Sequence, residues 1–267
     1  MNANFHTHTA LCDGSCSPEE MVQAAIARGM TALGFSGHSH LSFDPHTMSE
    51  EGTREYLREV KRLKSAYADK IDIYLGLEQE IFSEPPPEEL DFIIGAVHFV
   101  VHNGEYVCVD NGARAQQEAV NQHFGGDYYA MAEAYFETMA QMSKTAPDII
   151  AHFDLVTKYN VGGSLFDESH PRYITAAVTA MDEILKYCNL FEVNTGAMYR
   201  LNRPEPYPST RLLRELHKRG GEVILSSDSH EGESLCYKFD DMRKLLRTCG
   251  FEHSKTLTRD GFVTINN

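Results

Sequence analysis

Seven short apolar runs, separated by amphipathic stretches, constrain the fold of this 267-residue chain more than any other feature. They are apolar almost throughout, as expected of parallel strands that are buried on both faces. They cover residues 3–5, 32–37, 71–78, 92–98, 148–152, 190–195 and 222–228. The alternation of strands with helices predicts an α/β fold with a parallel sheet. Seven such units without a glycine-rich phosphate-binding motif favour a closed barrel over a doubly wound sheet.

Helical periodicity fills most of the intervals between these runs. The first helix has the clearest boundaries, with Ser17 as the predicted N-cap, Pro18 and Glu20 in its first turn, and Gly29 after its end. Helical patterns cover residues 17–29, 50–68, 127–144, 171–188, 209–221 and 240–250. No linker or repeat interrupts them, so we expect a single domain over residues 1–267.

Three segments do not follow the strand–helix pattern. Residues 98–110 predict a hairpin, because Asn103-Gly104 suits a type I′ turn between alternating apolar residues. Residues 111–127 are predicted to form a loop over one face of the barrel, and the proline-rich residues 83–90 a shorter loop.

Composition excludes several classes of partner and location. The net charge of -15 is poorly suited to nucleic acid or to an anionic membrane surface, since both attract lysine and arginine. Six scattered cysteines without a Cys-x-x-Cys pair indicate reduced thiols. No signal peptide is visible, and the longest apolar run, residues 92–101, is too short to span a bilayer. We expect a cytoplasmic protein; the sequence does not predict its oligomeric state.

Side chains that bind metals stand at the carboxyl ends of six of the seven predicted strands. In chain order they are His6 and His8, His38, Glu78, His98, His152, and finally Asp228 and His230; the sixth strand ends in Asn194. In a parallel barrel these ends meet at one rim, and residues two apart on a strand point to the same side. Imidazoles and carboxylates together suit zinc, iron or manganese. The sequence therefore predicts a site for two or three metal ions.

This prediction rests on the presence of such residues at six strand ends together, because a single histidine at a strand end is more often a hydrogen-bonded core residue than a ligand. Asp13 is either a ligand or the start of a turn, and we favour the ligand. Either Glu78 or Glu80 could face the rim, and we favour Glu78, which ends the apolar run. His40 is close enough in sequence to act as a proton donor. The surface is the expected place for four further histidines: His46, His102, His123 and His170.

The order and spacing of these motifs resemble the polymerase and histidinol phosphatase (PHP) family of metal-dependent phosphoesterases. The motifs are HTHT at 6–9, GHS at 37–39, GLE at 76–78, GAVH at 95–98, AHFDLV at 151–156 and SSDSH at 226–230. The stretches FGGDYYAMAEAYFETM and FEVNTGAMYR resemble the histidinol-phosphatase branch of that family.

The resemblance implies a distorted (β/α)7 barrel with three divalent metal ions of zinc, iron or manganese. It implies three ligand sets: His6, His8, Glu78 and Asp228; Glu78, His98 and His152; and Asp13, His38 and His230. Asp13 departs from the histidine that many relatives have there. The resemblance also implies phosphate binding by Arg200 and Lys158, and it leaves Asp228, His230 and His40 as candidate catalytic residues.

The reaction that the resemblance implies is hydrolysis of a small phosphate monoester, L-histidinol phosphate. One alternative is a phosphoesterase of the same family that acts on a nucleotide or on phosphotyrosine. An amidohydrolase also begins with His-x-His, but it normally has eight strands and a single late aspartate, which Asp228-x-His230 argues against. A metal-binding module without catalytic activity is the remaining alternative.

Overall fold

The sheet carries most of the fold in the computed structural model, which describes residues 2–86 and 89–267. Its nine strands are β1 (Ala3–Asn4), β2 (Ala32–Phe35), β3 (Asp72–Glu80), β4 (Phe92–Ala96), β7 (Ile149–Ile150), β8 (Leu190–Asn194), β9 (Glu222–Ser226), β10 (His253–Thr258) and β11 (Gly261–Asn266), hydrogen-bonded in that order. The first seven are parallel and correspond to the seven predicted strands. The α/β barrel prediction is therefore confirmed.

The barrel is distorted by the way in which it closes. Beyond β1 and β9, the His8 amide donates to the Ser229 carbonyl at 2.8 Å, and the Ser229 amide donates to the His6 carbonyl at 3.0 Å. These bonds join the first and seventh strands at the carboxyl-terminal rim. Lower down, β9 pairs instead with β10, which continues into the antiparallel strand β11. The sequence did not predict β10 and β11. Both strands follow the seventh strand–helix unit and do not continue the alternation of parallel strands with helices on which the prediction was based.

Eight helices lie between the strands in the described part of the chain. They are α1 (Pro18–Ala27), α2 (Glu50–Ala66), α3 (Ala113–His123), α4 (Tyr128–Met139), α5 (Pro171–Ile184), α6 (Gly196–Arg200), α7 (Thr210–Lys218) and α8 (Phe239–Cys249). Short 3₁₀ turns cover Met142–Thr145, Leu155–Thr157, Val161–Gly163 and Gly232–Ser234. The described residues include no helix whose length and hydropathy would allow it to cross a membrane, and all six cysteines are free thiols.

The predicted start of α1 is confirmed in detail. The Ser17 hydroxyl accepts from the Glu20 amide, and the Glu20 carboxylate accepts from the Ser17 amide, so both partners of a capping box are present. The chain then leaves the helix at Gly29, whose φ of +67° is in the left-handed region.

The predicted loop at residues 111–127 was wrong, because this segment contains α3. Its buried face consists of only Gln116 and Val120, and Gly112 provides no side-chain cap, so the sequence carries little helical signal. The tertiary structure supplies what the sequence lacks, since the Gln116 amide donates to the Val109 and Val156 carbonyls. The predicted loop at 83–90 includes residues 87 and 88, which lie outside the described residues.

The strands β5 (Phe99–His102) and β6 (Glu105–Cys108) form the predicted hairpin. Asn103 and Gly104 at its turn have φ of +51° and +83°, as a type I′ turn requires. One face of the hairpin, with Val100 and Val107, is buried in the core. The other face is turned toward the carboxyl-terminal rim of the barrel.

Aromatic side chains fill the barrel below that rim. The rings of Phe5 and Phe92 pack edge to face, with centroids 6.0 Å apart. The Phe92 ring lies against Gly76, where an added Cβ would come within 2.3 Å of it. The interior is therefore a packed apolar floor, above which the polar residues of the strand ends are collected.

Candidate metal centre

The candidate site stands on the carboxyl-terminal rim, at the ends of the strands and in the segments that follow them. His6, His98, His152 and Asp228 each follow by two positions the last residue of a parallel strand: β1, β4, β7 and β9. Because residues two apart on a strand point to the same side of the sheet, this common offset directs the four side chains into the barrel at the same height. Thus the rim unites residues that are far apart in the chain.

Glu78 of β3 is at the centre of the cluster. Its side chain is 1% exposed, and each of its oxygens faces histidine rings. Oε2 lies 2.9 Å from His38 Nδ1, and Oε1 lies 2.9 Å from His152 Nε2. Further ring nitrogens, within 3.6 Å of Glu78, belong to His6, His8 and His98. Oε2 nevertheless has no hydrogen-bond partner of proper geometry, as expected of an oxygen that faces a cation.

Asp13 brings a second group of histidines together at the edge of the cluster. Its Oδ1 lies 3.2 Å from His8 Nδ1, and its Oδ2 lies 3.1 Å from His230 Nε2 and 3.5 Å from His38 Nε2. The Asp13 side chain therefore points into the candidate metal centre, as expected of a ligand rather than of a turn residue.

Asp228 completes the rim from the seventh strand of the barrel. Its Oδ1 lies 3.3 Å from His8 Nε2 and 3.7 Å from His6 Nε2. Its φ of +44° is unusual for a residue other than glycine, and such backbone strain is concentrated at functional sites. Gly196 makes room for it, since a Cβ there would lie 2.9 Å from Asp228 Cβ.

The donor set fits divalent cations. Three groups have ligand atoms within 4.8 Å of one another: His8, Asp13, His38 and His230; His6, His8 and Asp228; and His38, Glu78 and His98. The Nε2 atoms of His6 and His8 are 3.1 Å apart, close to the separation of about 3.3 Å that two ligands of one tetrahedral zinc ion would have. Imidazole with carboxylate is the donor chemistry of zinc, iron and manganese sites.

The electrostatics of the cluster agree with this chemistry. Burial alone would raise the pKa of Glu78, but the facing histidines hold it well below its ordinary range. Burial also opposes ionisation of Asp228, yet Arg200 and His6 lower the pKa of that carboxyl well below its usual value. Burial would lower the pKa of His6, but the neighbouring carboxylates raise it to about 10. A divalent ion would therefore meet ionised carboxylates and displace protons from imidazoles.

Glu192 of β8 is the functional residue that sequence reasoning missed. It is 1% exposed, its Oε2 lies 2.8 Å from His6 Nδ1, and its Oε1 accepts from the His152 amide. The sequence did contain a signal for this role. Glu192 lies inside a buried apolar strand, two residues before Asn194, and a buried carboxylate needs a hydrogen-bonding or charged partner. Glu192 thus fixes the ring of His6 and the backbone of His152 from behind.

Glu80 has a similar supporting position. Its Oε2 accepts from the His98 amide at 2.8 Å and lies 2.9 Å from His98 Nδ1. Glu78 therefore faces the centre of the cluster, while Glu80 holds a histidine that faces it.

A cavity of about 510 Å³ opens above the cluster, and both predicted phosphate-binding cations line it. The Arg200 guanidinium donates to the Asp228 carboxylate at 2.9 Å and to the Asp228 carbonyl at 2.8 Å. Lys158 Nζ lies 2.8 Å from Asp110 Oδ2. Each cation is thus held by a carboxylate: Arg200 by Asp228, itself a candidate metal ligand, and Lys158 by Asp110.

His40 is the one predicted site residue that lies neither in the cluster nor in the lining of the cavity above it. Its Nδ1 lies 2.8 Å from the Met48 carbonyl, which ties the ring to its own loop. None of His46, His102, His123 and His170 belongs to the described ligand groups. Cys12 also lies beside the cluster, with its Sγ 3.6 Å from His8 Nδ1.

Comparisons with known proteins give a consistent result. The family model described as PHP domain matches residues 4–196. A protein of Deinococcus radiodurans named a probable histidinol-phosphatase is 30% identical over 276 positions, which cover 94% of this chain and 96% of the relative.

Two solved structures share the fold. A crystal structure from Listeria monocytogenes has a TM-score of 0.77 and 20% identity, covering 90% of this chain and 99% of its own. The crystal structure of histidinol phosphate phosphatase from Lactococcus lactis, in complex with zinc, L-histidinol and phosphate, has a TM-score of 0.70 and 21% identity, with 98% of each chain covered.

Proposed function

This chain belongs to the PHP domain family, and from that premise we propose that it hydrolyses L-histidinol phosphate to L-histidinol and phosphate. The observation that carries the proposal is the placement of two phosphate-binding cations, Arg200 and Lys158, in one cavity with the candidate metal ligands. The name and the nearly full-length match of the Deinococcus radiodurans relative support the choice of substrate.

We assign three ion sites to the cluster, for zinc, iron or manganese. The first uses His6, His8, Glu78 and Asp228; the second uses Glu78, His98 and His152; the third uses Asp13, His38 and His230. Glu78 belongs to the first and the second set, and its position supports this: Oε2 lies 3.4 Å from the Nε2 atoms of His6 and His8, and Oε1 lies 2.9 Å from His152 Nε2. The ions supply a water of lowered pKa and neutralise charge on the phosphoryl group.

The residues of the chain position the ester. Arg200, fixed by Asp228, and Lys158, fixed by Asp110, present cations to the phosphate oxygens, where charge increases in the transition state. The substrate is a small molecule, and the single enzyme domain extends over residues 1–267. Support for that extent comes from residues beyond the matched range 4–196: Asp228 and His230 belong to the candidate ligand groups, and Arg200 donates to Asp228.

The experiment that tests the function compares three esters with added manganese: L-histidinol phosphate, p-nitrophenyl phosphate and AMP. We expect kcat/KM for histidinol phosphate to exceed the other two values by at least about tenfold, since a site that pairs the substrate's polar groups discriminates strongly. Comparable rates on all three would indicate a less selective phosphoesterase. No turnover by the metal-loaded protein would indicate a binding module.

Two variants separate metal binding from phosphate binding. Asp228→Asn should lower the metal content and abolish turnover, because it removes a charged ligand. Arg200→Met should instead raise KM for the ester by about tenfold or more, the effect of losing a charge-assisted hydrogen bond, with a much smaller change in metal content. Elemental analysis beside steady-state kinetics makes the comparison. Equal loss of metal in both variants would contradict the role of Arg200.

A further inference from the structure

Four aromatic side chains form a wall at the mouth of the cavity. This aromatic wall consists of Phe43, Phe82, Phe99 and Tyr106. The Phe43 ring is stacked on Tyr106, with centroids 4.1 Å apart, and packs edge to face on Phe99 at 5.2 Å. Phe82 contacts Tyr106 at 5.1 Å. Phe43 and Phe99 line the same cavity as Glu78 and Arg200.

The aromatic wall is not explained as part of the buried core, because two of its side chains are exposed to solvent. Phe43 is 39% exposed and Tyr106 is 49% exposed, although both are large apolar side chains. The hairpin that carries Tyr106 is already anchored by Val100 and Val107 on its opposite face. Exposed aromatic surface at a concave site is typical of ligand recognition.

The loop that carries Phe43 is held in one conformation by its own hydrogen bonds. The Thr47 hydroxyl accepts from the Leu41 amide at 3.1 Å and lies 2.9 Å from the Asp44 carbonyl. Leu41 and Met48 at its two ends are buried. The Phe43 ring is therefore ordered before any ligand arrives, which reduces the entropy that binding must offset.

A carboxylate available for a cation lies beside the wall. Asp44 lines the cavity. Its Oδ1 accepts from the His46 amide and lies 3.0 Å from the His46 ring, which is its one ion-pair partner among the described residues, and its Oδ2 is the oxygen left for a ligand. By contrast, Lys158 and Arg200 are held by Asp110 and Asp228. The cavity thus contains two cations that already have carboxylate partners and, in Asp44 next to Phe43, a carboxylate that pairs with a histidine.

We propose that the aromatic wall and Asp44 select the part of the substrate that is not phosphate. The wall binds a flat aromatic or heteroaromatic ring, and Asp44 binds a positively charged nitrogen near that ring. This inference rests on the proposed function and deepens it, because L-histidinol phosphate carries both an imidazole and an ammonium group. Phe43 and Asp44 are then specificity-determining residues.

Three phosphate monoesters separate the two contributions. L-Histidinol phosphate has a ring and an ammonium group, phenyl phosphate has only a ring, and O-phosphoethanolamine has only an ammonium group. We expect Phe43→Leu to lower kcat/KM for the two ring-bearing esters about 3- to 10-fold relative to O-phosphoethanolamine, mainly through KM. Asp44→Asn should lower kcat/KM for the two ammonium-bearing esters by about tenfold relative to phenyl phosphate.

Two control variants exclude a general structural effect. Phe43→Tyr keeps the ring and should retain the wild-type ratio of the esters. Tyr187→Leu removes an aromatic side chain that is also 39% exposed but that precedes β8, at the opposite end of the barrel. It should leave all three values of kcat/KM unchanged.

The outcomes distinguish this inference from the proposed function. Equal losses on all three esters in Phe43→Leu, or no loss on any, would overturn the role of the wall. A wild-type enzyme without preference for histidinol phosphate would overturn the proposed substrate, while the other two esters still test the wall. If the wild type hydrolyses none of them, calorimetric titration with L-histidinol decides: equal affinity in wild type and Phe43→Leu refutes the wall, and weaker binding by the variant supports it.

Discussion

At the residue scale, carboxylates behind the histidines determine how the candidate ligands are presented. Glu192 lies 2.8 Å from His6 Nδ1, and Glu80 lies 2.9 Å from His98 Nδ1. A carboxylate on Nδ1 fixes the orientation of the ring and leaves Nε2 directed at the cluster. The chemistry of the site therefore depends on residues that would not themselves touch a metal ion.

Glu192→Gln tests this dependence. We expect metal affinity or turnover to fall about 10- to 100-fold, because the amide cannot replace the charged acceptor of His6. Metal content after dialysis against a weak chelator, measured beside kcat, gives the readout. Glu183→Gln is the matched control, since Glu183 forms an exposed pair with Lys186. Unchanged metal content and kcat in Glu192→Gln would contradict the assignment.

At the element scale, one ion pair joins the exit of the β5–β6 hairpin to the turn after β7. Asp110 follows the hairpin and holds Lys158 at 2.8 Å, with both side chains less than one-fifth exposed. The Tyr159 hydroxyl reinforces the junction by donating to the Asp110 carbonyl at 2.6 Å. The hairpin that carries part of the aromatic wall therefore also positions a cation of the cavity.

Asp110→Asn should weaken this junction. We expect the free energy of unfolding to fall by about 1–3 kcal/mol, because Lys158 is left mostly buried without its counter-ion. KM for the phosphate ester should rise as well. Urea unfolding and steady-state kinetics provide the two measurements. In the control Asp182→Asn, which removes an exposed partner of Arg219, the loss should stay within about 0.5 kcal/mol.

The packing of strands against each other also depends on glycine, as at Gly76 in β3. Gly76→Ala should lower the free energy of unfolding by about 1–3 kcal/mol, because its Cβ would overlap the Phe92 ring and the floor would have to move. Urea denaturation would measure the loss. Gly52→Ala in α2 is less crowded, with the Ser49 hydroxyl oxygen at 3.3 Å as its closest contact, and should change the free energy of unfolding by no more than about 1 kcal/mol. Equal effects of both variants would refute the packing argument.

At the scale of the whole molecule, folding assembles a charge cluster that no local segment contains. The pKa of His6 in this cluster is raised to about 10, since Glu192, Glu78 and Asp228 together exceed the opposing effect of burial. A raised pKa stabilises the folded state fully below the unfolded value of about 6.5, and that contribution is lost as pH rises through the folded value. A divalent ion held by the same side chains would take the place of the proton.

Metal removal should therefore change the pH dependence of stability. We expect the free energy of unfolding of the chelator-treated protein to decrease between pH about 6.5 and about 10, and that of the manganese-loaded protein to change less over this window. Denaturant titrations at several pH values, with and without metal, measure both curves. Parallel curves would show that ions and protons do not compete for this cluster.

Much of the fold and of the site could be predicted because their signals are local or periodic. The apolar runs gave seven parallel strands, and the ligand-type residues at their ends gave Glu78 and the histidines that surround it. The sequence signal was weak for α3, because only two residues of that helix are buried. It was also weak for β10 and β11, because these strands follow the last strand–helix unit and pair antiparallel with each other. His40 follows the second strand closely in sequence, but its ring bonds to its own loop.

The alternation of strands and helices, and the kinds of side chain that end each strand, can be read from the amino-acid sequence, since both depend on residues close together in the chain. Which side chains face one another depends on the folded chain. Glu192 supports His6 and His152, Glu78 rather than Glu80 faces the cluster, and the Phe43 ring stacks on Tyr106 of the hairpin. These contacts depend on barrel closure, strand register and loop conformation, which bring together residues that are distant in sequence.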